Sequence, residues 1–177
     1  TKLRWSYAAS KMIDEFIALS LYEEKKVSPI IVRLFNIIGP NQLSKFGMVV
    51  PRFIEAAIND EDILIHGDGS QSRSFTWVDD VVTYLIKLAE LKAYGEIFNI
   101  GQTEEITIKE LAELIIDKSN SNSKIIYKSH EEVFGKSFED PNRRTPGIEK
   151  IVEFTGIKPS KNIEFMVENI INYKQNN

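Results

Sequence analysis

Tyr7 and Lys11 stand four residues apart, a spacing that on a helix stacks the two side chains on one face within reach of a common ligand. An ammonium held near a phenol favours the phenolate, so the pair can serve as a general base with an electrostatic helper. The other reading of Tyr7 is a buried tyrosine with a satisfied hydroxyl. Tyr22 and Lys26 repeat the spacing, but Glu23, Glu24, Lys25 and Lys26 form a solvated helix end. Around Tyr7 the small Ser6, Ala8, Ala9 and Ser10 let a flat cofactor or a sugar approach. Other donors suit a phosphorylated ligand. Asn36 ends an apolar run, where open α/β sheets bind ligands, and Arg73 and the Arg143-Arg144 pair offer planar bidentate recognition of a pyrophosphate. Each arginine has the alternative of a surface residue, and Asn99 the alternative of a turn residue. His66 and His130 belong to no ligand-spaced cluster, so a structural or solvated role is expected for both and no metal site is expected. Trp5 and Trp77 are expected to pack, and Met48-Val49-Val50 reads as core.

The elements that must position these residues follow from periodicity. From Ser6 to about Lys26 the apolar Ala9, Met12, Ile13, Phe16, Ile17 and Leu21 recur at helical steps. Pro29 to Ile38 is a nearly continuous apolar run stopped by Gly39-Pro40, the pattern of a strand buried on both faces of a parallel sheet. Gly47 to Asn59 reads as a helix with Pro51 near its first turn. Ile63 to His66 alternates, and Gly67-Asp68-Gly69-Ser70 is a turn. Phe75 to Val78 is a short strand, after which Asp79 or Asp80 caps a helix running through Leu91. Gly95 to Gly101 brackets another strand. Thr107 with Glu110 makes a capping box for a helix through Ile116, ended by Ser119 to Ser123. Lys124 to Lys128 reads as a strand and Glu139 to Pro146 as a loop. Helices near Ile148 to Phe154 and Asn162 to Lys174 close the chain, the first ended by Gly156.

Strands alternating with helices give an α/β class with a mostly parallel sheet. Only two strands of the buried type, around Val32 and Ile97, are evident, so the sheet is incomplete. The chain has 177 residues, 42% hydrophobic and 27% charged, enough for a sizeable core and a globular, soluble fold. A formal charge of -4 gives none of the basic excess expected of a nucleic-acid binder. Without cysteine there is no disulfide or thiolate chemistry, which fits a reducing, cytoplasmic setting. No apolar run spans a membrane, and the amino end lacks an initiator Met and a signal-peptide core. None of the nine glycines falls in a phosphate-cradling array.

Taken in order, Trp5-Ser6-Tyr7-Ala8-Ala9-Ser10-Lys11, Val32 to Pro40, Gly47 to Phe53, His66 to Phe75 with Val78-Asp79-Asp80-Val81, Phe98-Asn99-Ile100-Gly101 and Arg143-Arg144-Thr145-Pro146 form a series. Over nearly its whole length the chain resembles the carboxyl half of the extended short-chain dehydrogenase/reductases that act on nucleotide sugars, most closely the UDP-glucose 4-epimerases. The resemblance implies an incomplete Rossmann-type sheet with a small α/β nucleotide-sugar-binding subdomain. Residues 1–38 are then a remnant of the dinucleotide-binding domain, 39–74 a substrate-binding segment, 75–101 a return to the first domain and 102–177 the substrate-binding subdomain. It further implies NAD as cofactor, bound at Tyr7 and Lys11. Tyr7 takes the proton of a sugar hydroxyl, Lys11 lowers its pKa and holds the nicotinamide ribose, and hydride returns to the opposite face of a keto-sugar. Asn36, Arg73 and Arg144 hold the nucleotide diphosphate, and backbone near Val50 faces the base. A homodimer through the Tyr7-Lys11 helix is implied as well.

The alternatives are a nucleotide-sugar 4,6-dehydratase, a UDP-glucuronate decarboxylase, or a truncated nucleotide-sugar-binding relic. The family's glycine-rich loop and its Ser or Thr partner lie upstream of the tyrosine, where this chain has six residues, and Gly147 stands where the family usually has Asp. A complete dinucleotide domain needs on the order of 100 residues more, so weak NAD binding, no turnover and an aggregation-prone strand edge are expected of the chain alone.

Overall fold

The computed structural model describes residues 5–44, 48–134 and 141–176. The amino end through Arg4, the expected helix start at Gly47, the first residues of the expected Glu139–Pro146 loop and the His130 side chain lie outside the described residues. In chain order the elements are α1 (Trp5–Glu23), β1 (Ile31–Leu34), β2 (Ile37–Ile38), α2 (Val49–Ile58), β3 (Ile63–His66), β4 (Ser72–Ser74), β5 (Thr76–Trp77) and α3 (Val78–Glu90). There follow β6 (Ile97–Ile100), β7 (Glu105–Thr107), α4 (Ile108–Ser119), β8 (Ile125–Lys128), α5 (His130–Phe134), β9 (Arg143–Arg144), α6 (Glu149–Thr155) and α7 (Ile163–Gln175).

The two strands of the buried type pair with each other in parallel, Ile31 opposite Ile97 through Leu34 opposite Ile100. A parallel pair requires a crossover, and the helix α3 lies within it. Val81, Tyr84 and Leu88 recur at helical steps, so α3 buries one stripe with Phe98, Ile100 and the α6 residue Ile151. The Tyr84 hydroxyl, inside this core, donates to the Ile157 carbonyl at 3.0 Å. Two features of the expected strand are corrected. The apolar run breaks at Asn36, whose φ of 37° turns the chain between β1 and β2. Nor is the strand buried on both faces: Arg33 and Leu34 are exposed. Arg33 instead reaches α1, donating to both carboxylate oxygens of Glu15 at 2.8 and 2.6 Å. This pairing holds the Glu15 carboxyl below its usual range.

A second core lies over the parallel pair β3–β8. Val50, Phe53, Ile54 and Ala57 on α2 and Ile108, Leu111, Ala112 and Ile115 on α4 follow i, i+3, i+4, i+7, so each helix turns one apolar stripe inward. Met166, Val167, Ile170 and Ile171 on α7 complete it above Ile63 and Ile65. Trp77 packs as expected, edge-on to Phe165 at 5.6 Å. Trp5 does not: it is 48% exposed, and no residue of α1 is buried.

The helix ends follow local chemistry. Thr107 accepts from the Glu110 amide at 3.1 Å while Glu110 accepts from the Thr107 amide at 2.9 Å, the expected capping box. Asn162 caps α7, and Gly156 ends α6 with a φ of 72°. Neither Asp79 nor Asp80 caps α3, contrary to expectation, because both fall inside its first turn and their carboxylates are engaged elsewhere. Asp79 accepts from the Trp77 indole at 2.9 Å, and Asp80 from the Ser160 hydroxyl and amide at 2.8 and 3.0 Å. Among the described residues no helix is long and apolar enough to cross a membrane. Three further strands stand where no strand is expected, β9 within the expected Glu139–Pro146 loop: β4 takes β7 on one side, antiparallel, and β9 on the other, parallel.

Candidate functional site

The turn at Asn36 builds one wall of a cleft of about 380 Å³, within the range of small-ligand pockets. A left-handed backbone suits Asn better than other non-glycine residues, because its short amide can bond locally. Here the Asn36 side chain donates to the Ser74 carbonyl at 2.8 Å, the Asn36 backbone carbonyl accepts from the Thr76 amide at 3.1 Å, and the Thr76 hydroxyl donates to the Phe35 carbonyl at 2.9 Å. The end of β1 is thereby tied to β4 and β5. The start of α2 also lines the cleft, and its N-cap, Met48, makes no side-chain cap hydrogen bond to the first-turn amides near Val50.

Arg73 on β4 and Arg144 on β9 sit opposite each other in the parallel register, and both line the cleft. Arg73 is 7% exposed and donates to the Ser72 carbonyl at 2.6 Å. Arg144 is exposed and donates to the Asn36 side-chain oxygen at 2.7 Å. Asn36, Arg73 and Arg144, expected to hold a nucleotide diphosphate, and Val50, whose backbone is expected to face the base, thus come from four separate segments to one cavity. Two guanidinium groups beside an amide and helix-start amides form a donor set for a polyanionic, planar-faced ligand.

The structure also brings to the cleft residues to which the sequence reading gave no ligand role. Gln42, Arg52, His66 and Gln71 line the same cleft. His66 is half-buried at the cavity, and its backbone carbonyl accepts from the Gln71 side chain at 2.9 Å. Burial pushes the Arg52 guanidinium below its usual range; it donates to the Leu64 carbonyl at 3.2 Å. The Arg52 Nε and the Gln42 Oε1 are buried with no hydrogen-bond partner among the described residues. A signal was present, since Arg52, His66 and Gln71 stand inside the motif segments and Gln42 two residues beyond one, but spacing alone does not say which residues of a turn face a cavity.

Arg143 does not line the cleft: its guanidinium is taken up by Glu105, with Nε at 2.9 and 3.1 Å from the two carboxylate oxygens. Asn99 donates to the Gly147 carbonyl at 3.1 Å and does not line the cleft, so it fastens the strand end to the loop after Arg144. Tyr7 and Lys11 do not line the cleft either. Both lie on α1, Tyr7 71% exposed, which removes the buried-tyrosine reading. Lys11 pairs with Asp14 at 2.9 Å; this hydrogen bond and charge, with Tyr7 as the smallest contribution, raise its pKa. An exposed phenol and an exposed ammonium, the latter paired with Asp14, stand one helical turn apart, donors of a kind that fits the ribose hydroxyls of a nicotinamide nucleotide. At the decoy pair, Lys26 is bound to Glu24, as expected of a solvated helix end.

The NAD dependent epimerase/dehydratase family model matches residues 1–101. A UDP-N-acetyl-alpha-D-glucosaminuronate decarboxylase of Bacillus cytotoxicus is 39% identical over 161 residues, 90% of this chain and 50% of the relative. UDP-glucuronic acid decarboxylase 4 of Arabidopsis thaliana is 33% identical over 89% of this chain and 34% of its own length. The chain therefore spans about half, or less, of these curated relatives. Among solved structures, a UDP-glucose 4-epimerase of Thermotoga maritima with UDP-glucose superposes with a TM-score of 0.84 at 26% identity, covering 96% of this chain and 53% of that one. The matched residues run from the Tyr7-Lys11 helix through the Asn36 turn and Arg73 to the end of β6, more than half of the sequence, and the chain belongs to the NAD dependent epimerase/dehydratase family.

Proposed function

We propose that this chain is the nucleotide-sugar-binding and proton-transferring portion of an NAD-dependent enzyme that oxidises a UDP-sugar at C4, and that the whole protein decarboxylates a UDP-uronic acid. One observation carries the binding reading: Asn36, Val50, Arg73 and Arg144 line a single cleft. In this reading residues 1–38 and 75–101 belong to the dinucleotide-binding domain and 39–74 and 102–177 to the substrate side. The guanidinium groups of Arg73 and Arg144, with the Asn36 amide, bind the diphosphate, and the backbone near Val50 faces the base.

NAD, when bound, supplies the hydride acceptor. Tyr7 takes the proton of the C4 hydroxyl, and Lys11, exchanging Asp14 for the ribose hydroxyls, favours the phenolate by its charge. A ketone at C4 makes the carboxylate carried on C5 a β-keto acid, which loses carbon dioxide readily. Decarboxylation is favoured over the C4 epimerisation expected from sequence by the two decarboxylase relatives, at 39% and 33% identity. The likeness to the UDP-glucose 4-epimerase favours epimerisation as the second reading.

Product analysis of the whole protein with a UDP-uronic acid and with UDP-glucose separates the two. Carbon dioxide release from the uronic acid supports the first, and interconversion of UDP-glucose and UDP-galactose without it overturns the first for the second. Tyr7→Phe lowers kcat by about 10²–10⁴ in either case if Tyr7 is the base. The exposed Met12 and Phe16 on α1 support a homodimer through this helix, and Phe16→Glu then shifts the sedimentation to monomer. A cytoplasmic setting belongs to the same reading, tested by cell fractionation.

A further inference from the structure

Successive residues of a strand point to opposite faces, so the three-stranded sheet β7-β4-β9 has two different surfaces. On one, Arg73 and Arg144 line the cleft. On the other, the Glu105 carboxylate reaches across the central strand: it accepts from the Ser72 hydroxyl at 2.8 Å and from the Arg143 Nε at 2.9 and 3.1 Å. One carboxylate thus stitches all three strands together on the face away from the cavity. The cleft strand β9 is only Arg143–Arg144, so its backbone ladder is short and offers little to hold it in register. A slip of one residue would turn Arg144 out and Arg143 in, because the side-chain period is two. Paired with Arg143 and then Ser72, the Glu105 carboxyl is held far below the ordinary carboxylate range, at about 2.

We infer that Glu105 is a positioning residue for the anion site: by gripping Arg143 and Ser72 behind the sheet, it fixes the register that delivers Arg144 to the cleft. Glu105 touches no ligand in this scheme. It acts through β9, and Arg143 is its handle. Replacing Glu105 therefore affects the part of a ligand that Arg144 meets and leaves the part met by the α2 wall unchanged.

This inference rests on the reading of the cleft as a nucleotide diphosphate site, and two independent readouts keep the two apart. The first is calorimetric titration of the 177-residue chain with UDP and with uridine, for the parent, Glu105→Gln, Arg144→Gln and the double variant. Glu105→Gln is expected to weaken UDP about tenfold while leaving uridine unchanged. The double variant is expected to bind UDP no more weakly than Arg144→Gln alone, since both remove one interaction. Additive losses, or equal losses for UDP and uridine, overturn the inference. The second readout needs no ligand: hydrogen exchange over residues 141–146 is expected to accelerate in Glu105→Gln while β3 and β8 keep their protection. Unchanged protection at 141–146 overturns the inference even if UDP binds as proposed. A parent chain that does not prefer UDP to uridine overturns the diphosphate reading, and the exchange result then still decides the role of Glu105 in holding β9.

Discussion

Replacing Asn36 with Gly and, separately, with Ala separates what its side chain does from what its backbone requires. Both variants lose the bond to the Ser74 carbonyl, 2.8 Å and partly buried, and the contact that accepts from Arg144. A typical net hydrogen bond contributes about 1 kcal/mol, and the Arg144 contact adds little to stability because it is exposed. Ala carries an extra cost, since a φ of 37° places its Cβ in the disfavoured left-handed region. That strain is worth about 1–2 kcal/mol and is offset by about 0.4–1 kcal/mol of unfolded-state entropy that Gly gains and Ala does not. The expected order is parent, then Asn36→Gly lower by about 1 kcal/mol, then Asn36→Ala lower by about 2 kcal/mol. Urea unfolding read by circular dichroism measures this, and with an m-value of about 1–3 kcal/mol/M the Ala midpoint falls by roughly 1 M. Both variants should bind UDP more weakly than the parent, because Arg144 loses its acceptor. Equal midpoints for Gly and Ala would refute the claim that the bend between β1 and β2 is what selects asparagine here.

Three further outcomes follow from the same geometry. Thr107→Ala removes the capping box of α4 and should cost about 1 kcal/mol by urea unfolding, with a change below a few tenths counting against the cap. Gly101→Ala sets a Cβ against the Pro146 ring and 3.0 Å from the Phe35 Cβ. Because the ring or the backbone must shift to admit it, the variant should be destabilised by about 1–3 kcal/mol and, through Pro146, disturb Arg144 and weaken UDP binding. A variant as stable as the parent would show that the loop yields. Burial, with the Asp80 charge second, pushes the Tyr84 hydroxyl up to about 12, above its ordinary value of 10.0. Because the folded value is the higher one, the contribution is whole below the unfolded value and is lost as pH rises from there toward the folded one. The stability gap between the parent and Tyr84→Phe should therefore shrink from pH 9 to pH 12, and a gap that stays constant in midpoint-against-pH curves would exclude the linkage.

The helices were legible because burial leaves a periodic trace. The i, i+3, i+4, i+7 stripes of α2 and α4 and the Thr107-Glu110 box stand in the sequence as they stand in the fold. The strands around Val32 and Ile97 were legible as apolar runs, and they pair in the parallel sense. The polar strands β4, β7 and β9 were not. Ser72-Arg73-Ser74 and Arg143-Arg144 carry no apolar alternation, since one face of their sheet holds an ion pair and the other lines a cavity. The run from Pro29 to Ile38 misled for the opposite reason: hydrophobicity reports a preference for burial, while Arg33 and Leu34 remain exposed beside an α1 that buries nothing.

By itself the sequence determined the residue types available for chemistry: the phenol and ammonium one turn apart, the strand-end amide and the arginines, in an order matching one family. It also determined the start of α4 at the Thr107 box, the end of α6 at Gly156 and the start of α7 at Asn162, because such caps are local. Only the tertiary structure decided which guanidinium faces the cleft. Arg143 and Arg144 are neighbours of identical type, and the choice between them is made by a carboxylate 38 residues away that captures one and so turns the other inward. Local pattern cannot encode that selection, because it depends on the pleat of a strand whose register is set by its neighbours in space.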